Sequence, residues 1–163
     1  MGLTLRIAGL VLLLDQATKV LVVHLLNLKG RGEIDLFPPF LVFRMAWNRG
    51  INFGLFSGNS DTTRWVLVGL ALAISVGVLV WMWRTVPGPR VQVSAGLLVG
   101  GAIGNVIDRL IYGAVADFLN MSCCGIDNPY AFNVADVAIF LGAVGLILFS
   151  DGERPRDGRR RAR

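Results

Sequence analysis

The chain has 163 residues, of which 54% are hydrophobic and only 17% charged, with 16 basic against 11 acidic groups for a formal net charge of +5. That balance excludes an ordinary soluble domain and fits one domain, residues 1–163, dissolved in lipid. The positive charge does not indicate nucleic acid. Arg154, Arg156, Arg159, Arg160, Arg161 and Arg163 crowd the tail, residues 151–163, which reads as a segment held against anionic phospholipid headgroups on the cytoplasmic side.

The first span is expected over residues 5–28. Its early apolar run resembles the core of a signal peptide, yet no small-residue cleavage site follows and the apolar pattern resumes at Val20. Asp15 and Lys19 lie four residues apart with the acid first, the order in which two charges meet on one helix face. Such a pair either neutralises itself and pins the helix to its neighbours or acts at a site. His24, a lone histidine near the far end, carries little weight.

From Lys29 to Arg64 the apolar density drops, and Phe40 to Trp47 alternates like a strand after Pro38-Pro39. The segment is too polar to span. It reads as a small sheet and loop on the outer surface between helices one and two, with Trp47, Phe53 and Phe56 at headgroup level. Asn48 is either part of a connecting loop or a hydrogen-bond donor to a substrate backbone.

The second span, residues 65–83, is uncharged and has a tryptophan at each end, the pattern of an aromatic belt. A Pro87-Gly88-Pro89 break separates it from the third span, residues 91–112, where Gly96, Gly100 and Gly104 recur every four residues. A stripe of small residues lets helix backbones approach closely. Past the stripe, Asn105, Asp108 and Arg109 extend one polar face, with Asp108 beside Arg109 readable as an ion pair that holds the helix end.

Asp117 sits in the run Ala114–Phe118, which is open to strand or continued helix. Asn120 to Pro129 reads as surface loop. The adjacent Cys123 and Cys124 offer no metal-ligand spacing, and a disulfide between neighbours is the most strained of their options. The fourth span, residues 133–149, begins with Asn133 as N-cap and Asp136 three residues on, so Asp136 is an acid favoured by the helix dipole. The segment is barely long enough to cross, which puts Asp136 within about a turn of the hydrocarbon boundary.

These spans describe an all-α polytopic membrane protein with four transmembrane helices. Basic residues are concentrated on the side of the termini, so both termini are expected in the cytoplasm. Asp117 and Asp136 then reach the extracytoplasmic edge together. Two carboxylates at a dry edge, with no Ser-His or Cys-His pair and no metal motif, suit aspartic proteolysis, which needs no cofactor.

Five blocks carry a resemblance. Asp15-Gln16-Ala17-Thr18-Lys19, Asn48-Arg49-Gly50 with Phe53-Gly54, Gly104-Asn105-Val106-Ile107-Asp108-Arg109, Val115-Ala116-Asp117-Phe118 and Phe132-Asn133-Val134-Ala135-Asp136 follow one another in an order similar to that of the lipoprotein signal peptidases, signal peptidase II. The resemblance implies Asp117 and Asp136 as the catalytic dyad. It implies Asn48, Asn105, Arg109 and Asn133 around the site as substrate-binding residues, and Asp15 and Lys19, with Asp108, as structural support. The implied substrates are prolipoproteins bearing a diacylglyceryl-cysteine, cut on the amino side of that cysteine at the outer face of the bacterial cytoplasmic (inner) membrane, and with such a substrate the glycine stripe of the third span is expected to leave room beside it for an acyl chain or a signal-peptide helix. A monomer with no metal, cofactor or nucleic-acid partner is expected. The non-enzymatic rival is a small transporter or proton-coupled channel subunit, against which stand the clustering of charge toward one face and the lack of an inverted repeat. A metal-dependent enzyme of phospholipid synthesis is a weaker rival, because Asp108 and Asp117 are not acids on successive turns.

Overall fold

The computed structural model describes residues 1–50 and 61–150. The expectations for Phe53, Gly54, Phe56 and the arginine tail fall outside the described residues. Helix α1 (Gly2–Lys19) continues in wider π-helical turns over Val20–Leu25. Asn27, at φ 54°, then takes the left-handed conformation that asparagine tolerates better than most residues, and this stops the helix. The first span therefore ends short of residue 28, and Leu28–Arg31 forms a separate helical turn, α2. Helices α3 (Asp61–Arg84) and α4 (Pro89–Tyr112) follow, joined by a short break with Pro89 at the start of α4, where its missing N–H costs nothing. Gly113, at φ 74°, ends α4, and the last described helix is α5 (Val134–Phe149).

Three helical stretches, Gly2–Leu25, Asp61–Arg84 and Pro89–Tyr112, have the length and apolarity to cross a membrane. At 24 residues each they reach about 36 Å, more than a hydrocarbon core of about 30 Å. Helix α5 is more apolar than these but has 16 residues. Helix α4 sits at the centre, with α1, α3 and α5 packed around it. The outward faces of those three remain apolar, with Leu13, Leu14, Val66, Trp83, Phe140 and Ile147 all exposed. Such surface is tolerable only where lipid covers it.

The glycine stripe explains why α4 can be central. A Cβ on Gly100 would lie 2.6 Å from the Ala8 carbonyl oxygen of α1, and one on Gly104 would lie 2.7 Å from Asp15 Oδ2. On the other side Gly101 abuts the Ala135 carbonyl of α5, and Gly142 of α5 comes equally close to the Leu98 backbone of α4. The stripe is filled by neighbouring helices. The expected room beside it for an acyl chain or signal-peptide helix is absent, because α1 and α5 take up the space that the missing side chains release.

The sheet is more than a local insertion between the first two long helices. Strands β1 (Glu33–Phe37) and β2 (Leu41–Asn48) form a hairpin, and β3 (Val115–Asn120), which follows α4, adds antiparallel to β2. Asp117 thus lies on a strand, paired with Ala46, and Val115 pairs with Asn48. Phe118 from β3 packs with Val22 and Leu28 beneath the sheet and meets the Phe43 ring edge to face at 5.7 Å. Burying each such apolar side chain contributes about 1.5–3 kcal/mol, enough to hold the sheet against the C-terminal end of the first helical stretch.

Candidate active site

Backbone pairing brings the two expected aspartates together. On the free edge of β3, Leu119 and Phe132 exchange backbone hydrogen bonds of 2.8 and 2.9 Å, so the chain entering α5 runs alongside the strand that carries Asp117. Asn133 comes next and caps α5. Its side-chain oxygen accepts the Asp136 N–H at 2.9 Å, while the Asp136 carboxylate accepts the Asn133 N–H at 3.3 Å, a reciprocal capping box. The same Asn133 side chain donates through Nδ2 to Asp117 Oδ1 at 2.6 Å. One fully buried amide therefore links the helix cap that holds Asp136 to the carboxylate of Asp117.

Two more asparagines complete the surround. Asn48 lies diagonally across the β2–β3 ladder from Asp117, on the same face, and donates to Asp117 Oδ2 at 3.1 Å. Asn105, from α4, donates to Asp136 Oδ1 at 2.9 Å and accepts from Asn133 Nδ2 at 3.2 Å. Expected at the sequence level to hold substrate, these three residues all hydrogen-bond to an aspartate of the pair. Arg109 lies one helical turn beyond Asn105 and donates to the Asn105 and Gly50 carbonyls, which ties the end of β2 to α4. Its charge is within electrostatic reach of Asp136, Asp117 and Asp108.

Asp117 is only 2% exposed. Burial pushes its carboxyl up to about 7 from an ordinary 3.8, and the negative charge of Asp136 pushes the same way, against the hydrogen bonds from Asn48 and Asn133 and the charge of Lys19. A carboxyl in this range can hold or release a proton near neutral pH, which is what general acid–base chemistry requires.

Behind the pair lies a second cluster. Lys19 Nζ is 2.8 Å from Asp15 Oδ2 and 2.8 Å from Asp108 Oδ2, with all three side chains almost wholly buried. The partner of Asp108 is therefore Lys19, where the sequence suggested Arg109. Successive residues on a helix diverge by about 100°, so Asp108 faces α1 while Arg109 turns toward β2. Gln16 belongs to the first block of the resemblance, which implies no role for it. Its Nε2 lies 3.1 Å from both Asp15 Oδ2 and Asp108 Oδ1. Its place three residues before Lys19 puts it on that residue's helix face, and that was the available signal.

The remaining sequence features fall outside this cluster. His24 contacts the Tyr112 hydroxyl at 3.1 Å near the surface. Cys123 and Cys124 are exposed and unbridged, in accord with the strain argument. Asn120 was assigned to the surface loop but is buried, and its side chain donates to the Asn128 and Tyr130 carbonyls, pinning the loop that begins beside it.

A family model described as signal peptidase (SPase) II matches residues 7–150. A lipoprotein signal peptidase of Methylobacterium sp. (strain 4-46) is 43% identical over 147 residues, covering 90% of this chain and 87% of that one. Another, from Methylorubrum extorquens (strain PA1), is 46% identical over 146 residues, covering 89% and 83%. Two solved structures of a bacterial membrane enzyme, obtained by the in meso method, superpose with TM-scores of 0.73 and 0.73 at 27% and 26% identity. They cover 91% and 93% of this chain, and 87% and 94% of their own. Similar along almost all of its described length to these proteins and to the family model, the chain belongs to the signal peptidase II family.

Proposed function

We propose that this protein is an intramembrane aspartic endopeptidase that removes the signal peptide from diacylglyceryl-modified prolipoproteins, cutting on the amino side of the lipidated cysteine. The observation that carries the reading is the Asn133 amide, which donates to Asp117 while its oxygen caps the helix turn bearing Asp136. Two carboxyls so linked, Asp117 buried and Asp136 half-buried beside it, share one proton near neutral pH, because like charges at close range resist ionising together. The ionised member takes a proton from water, and the resulting oxygen nucleophile attacks the scissile carbonyl carbon. The protonated member donates to the carbonyl oxygen, giving a tetrahedral diol. Return of a proton to the departing nitrogen breaks the C–N bond, leaving a carboxylate on the signal peptide and a free amine on the cysteine. Asn48, Asn105 and Asn133 hold the carboxyls in place, and Arg109 orders the edge of β2 beside the substrate.

In the same reading residues 1–163 form one integral-membrane domain with four spans. Both termini face the cytoplasm, and the site opens at the outer face of the bacterial inner membrane. Helix α5 spans by drawing its first turn, with Asp136, down to the hydrocarbon boundary, since its 16 residues reach about 24 Å. A diacylglyceryl anchor presents its neighbouring peptide bond at that level. The protein acts as a monomer among phospholipids.

The test is cleavage of a diacylglyceryl-modified prolipoprotein by purified protein in detergent. Asp117→Asn and Asp136→Asn are each expected to lower kcat by about 10²–10⁴-fold, the range for loss of a general acid or base, while substrate still binds. Cleavage at the wild-type rate by either variant would remove the dyad from the mechanism.

A further inference from the structure

Behind the two aspartates the polar contacts close into a symmetrical pattern. Asp15 Oδ1 accepts the backbone N–H of Ala135 at 3.0 Å, the residue immediately before Asp136. Asp108 Oδ2 accepts the backbone N–H of Ala116 at 3.0 Å, the residue immediately before Asp117. The two gripping carboxylates are then joined to each other twice, once through Lys19 Nζ and once through Gln16 Nε2, which also reaches the Gly104 carbonyl at 3.4 Å. No side-chain oxygen of either carboxylate is left over, and Gly104 supplies the space in which Asp15 lies against α4.

We infer that Gln16 and Lys19 are positioning residues for the reaction: they tie together two carboxylates, each clamped to the backbone one residue before a dyad aspartate, and so fix the separation of Asp117 from Asp136. The inference rests on the dyad reading above and deepens it. The two aspartates belong to different elements, a strand and a helix, and inside the dyad the Asn133 amide and its bond to Asn105 cross between them. The Leu119–Phe132 backbone pairing ties the strand to the chain entering α5 at one point. The clamp adds a second tie on the backbones, at Ala116 and Ala135, through Asp108 of α4 and the α1 residues Asp15, Gln16 and Lys19. A misplacement of about 1 Å at reacting groups costs on the order of 10²-fold in rate, so a device that holds both main chains acts on turnover more than on substrate binding.

Lys19 has a second effect. Its charge favours the ionised form of Asp117, whose other charged or hydrogen-bonding neighbours are Asp136 from α5, Arg109 from α4, Asn48 from β2 and Asn133. Gln16 is neutral and carries no such influence. The two variants therefore separate geometry from charge.

The experiment measures kcat, KM and the pH profile of kcat for the purified full-length chain acting on a diacylglyceryl prolipoprotein in detergent, with rates normalised to folded protein by gel filtration and thermal melting. Gln16→Leu is expected to lower kcat about tenfold with KM within about threefold and no movement of the profile. Lys19→Met is expected to lower kcat by about 10²-fold and to move the alkaline limb of the profile, set by the Asp117 proton, to higher pH. Asp15→Asn keeps an acceptor for the Ala135 N–H and should retain at least about ten times the kcat of Asp15→Leu, which also covers the case in which Lys19→Met fails to fold. The positioning role is overturned if folded Gln16→Leu turns over at the wild-type rate, if the two Asp15 variants lose kcat equally, or if every loss vanishes on normalising to folded protein. Parallel Asp117→Asn and Asp136→Asn controls identify which reading has failed. If both are dead the dyad stands whatever the clamp variants do, and if either cuts normally the dyad falls and the clamp falls with it.

Discussion

Replacing Asp117 with asparagine should make the protein more stable as it makes it inactive, and the gain should depend on pH. In the folded protein the Asp117 carboxyl is pushed up to about 7, against 3.8 for an ordinary aspartate, first by burial and then by Asp136. The folded state thus holds a proton that the unfolded chain has released once the pH passes 3.8, so stability falls from there up to about 7 and stays low above it. At about 1.36 kcal/mol per unit the full penalty is on the order of 4 kcal/mol. Asparagine carries no charge and removes it. It can still accept from Asn133 through its oxygen, but its amide nitrogen would face the Asn48 donor, which forfeits one hydrogen bond worth about 1 kcal/mol. The net gain is about 3 kcal/mol above pH 8, or roughly 6–12 °C in melting temperature for a chain of this size, with near parity at about pH 5. Thermal unfolding of both proteins in the same detergent at pH 5 and pH 8 measures it. A gap that is equal at the two pH values would refute the argument, because the relieved term would then not be an ionisation.

The same proton governs turnover. Since kcat/KM reports the free enzyme, it should fall as pH rises through about 7, where the second carboxyl of the pair loses its proton, and a flat profile from pH 6 to 9 would count against shared-proton chemistry. At the α4–α5 contact, Gly142→Leu should lower stability by several kcal/mol, because even a Cβ there would lie 2.5 Å from the Leu98 backbone nitrogen and 2.7 Å from the Ser94 carbonyl. Denaturant titration in micelles checks this, and a wild-type midpoint would mean that the two helices can part without loss.

The long apolar helices were legible because lipid leaves the backbone few options, and lengths of apolar sequence report directly on what can cross. The ends of helices were read less well. Asn27 stops α1 through its own left-handed backbone, a conformation that periodicity does not register. Strand β3 was ambiguous since a six-residue run has no period to distinguish strand from helix, and its partner β2 lies far away in sequence. At the site, Asn133 and Asp136 were readable as a cap because a capping box is local, whereas the meeting of Asn133 with Asp117 depends on the Phe132–Leu119 pairing and could only be expected from family resemblance. Gln16 went unassigned for a simpler reason: an amide beside a carboxylate looks like a helix surface until Asp108 is seen on its other side.

The clamp and the cap both close on α5, the last described helix, and this bears on how the protein is made. A nascent chain that has emerged only as far as β3 carries Asp117, Asn48 and the Lys19 cluster but neither Asp136, nor Asn133, nor the Ala135 N–H that Asp15 grips. Contacts that join the first helix to the last are the slowest kind to form. Until they do, Asp15 has one oxygen without its backbone partner, Asp117 lacks the amide that orients it, and the proposed dyad lacks its second carboxyl, Asp136. Under the proposed dyad, insertion of the last described helix would therefore complete the site in one step, so that the order of synthesis itself would keep the unfinished protein inactive.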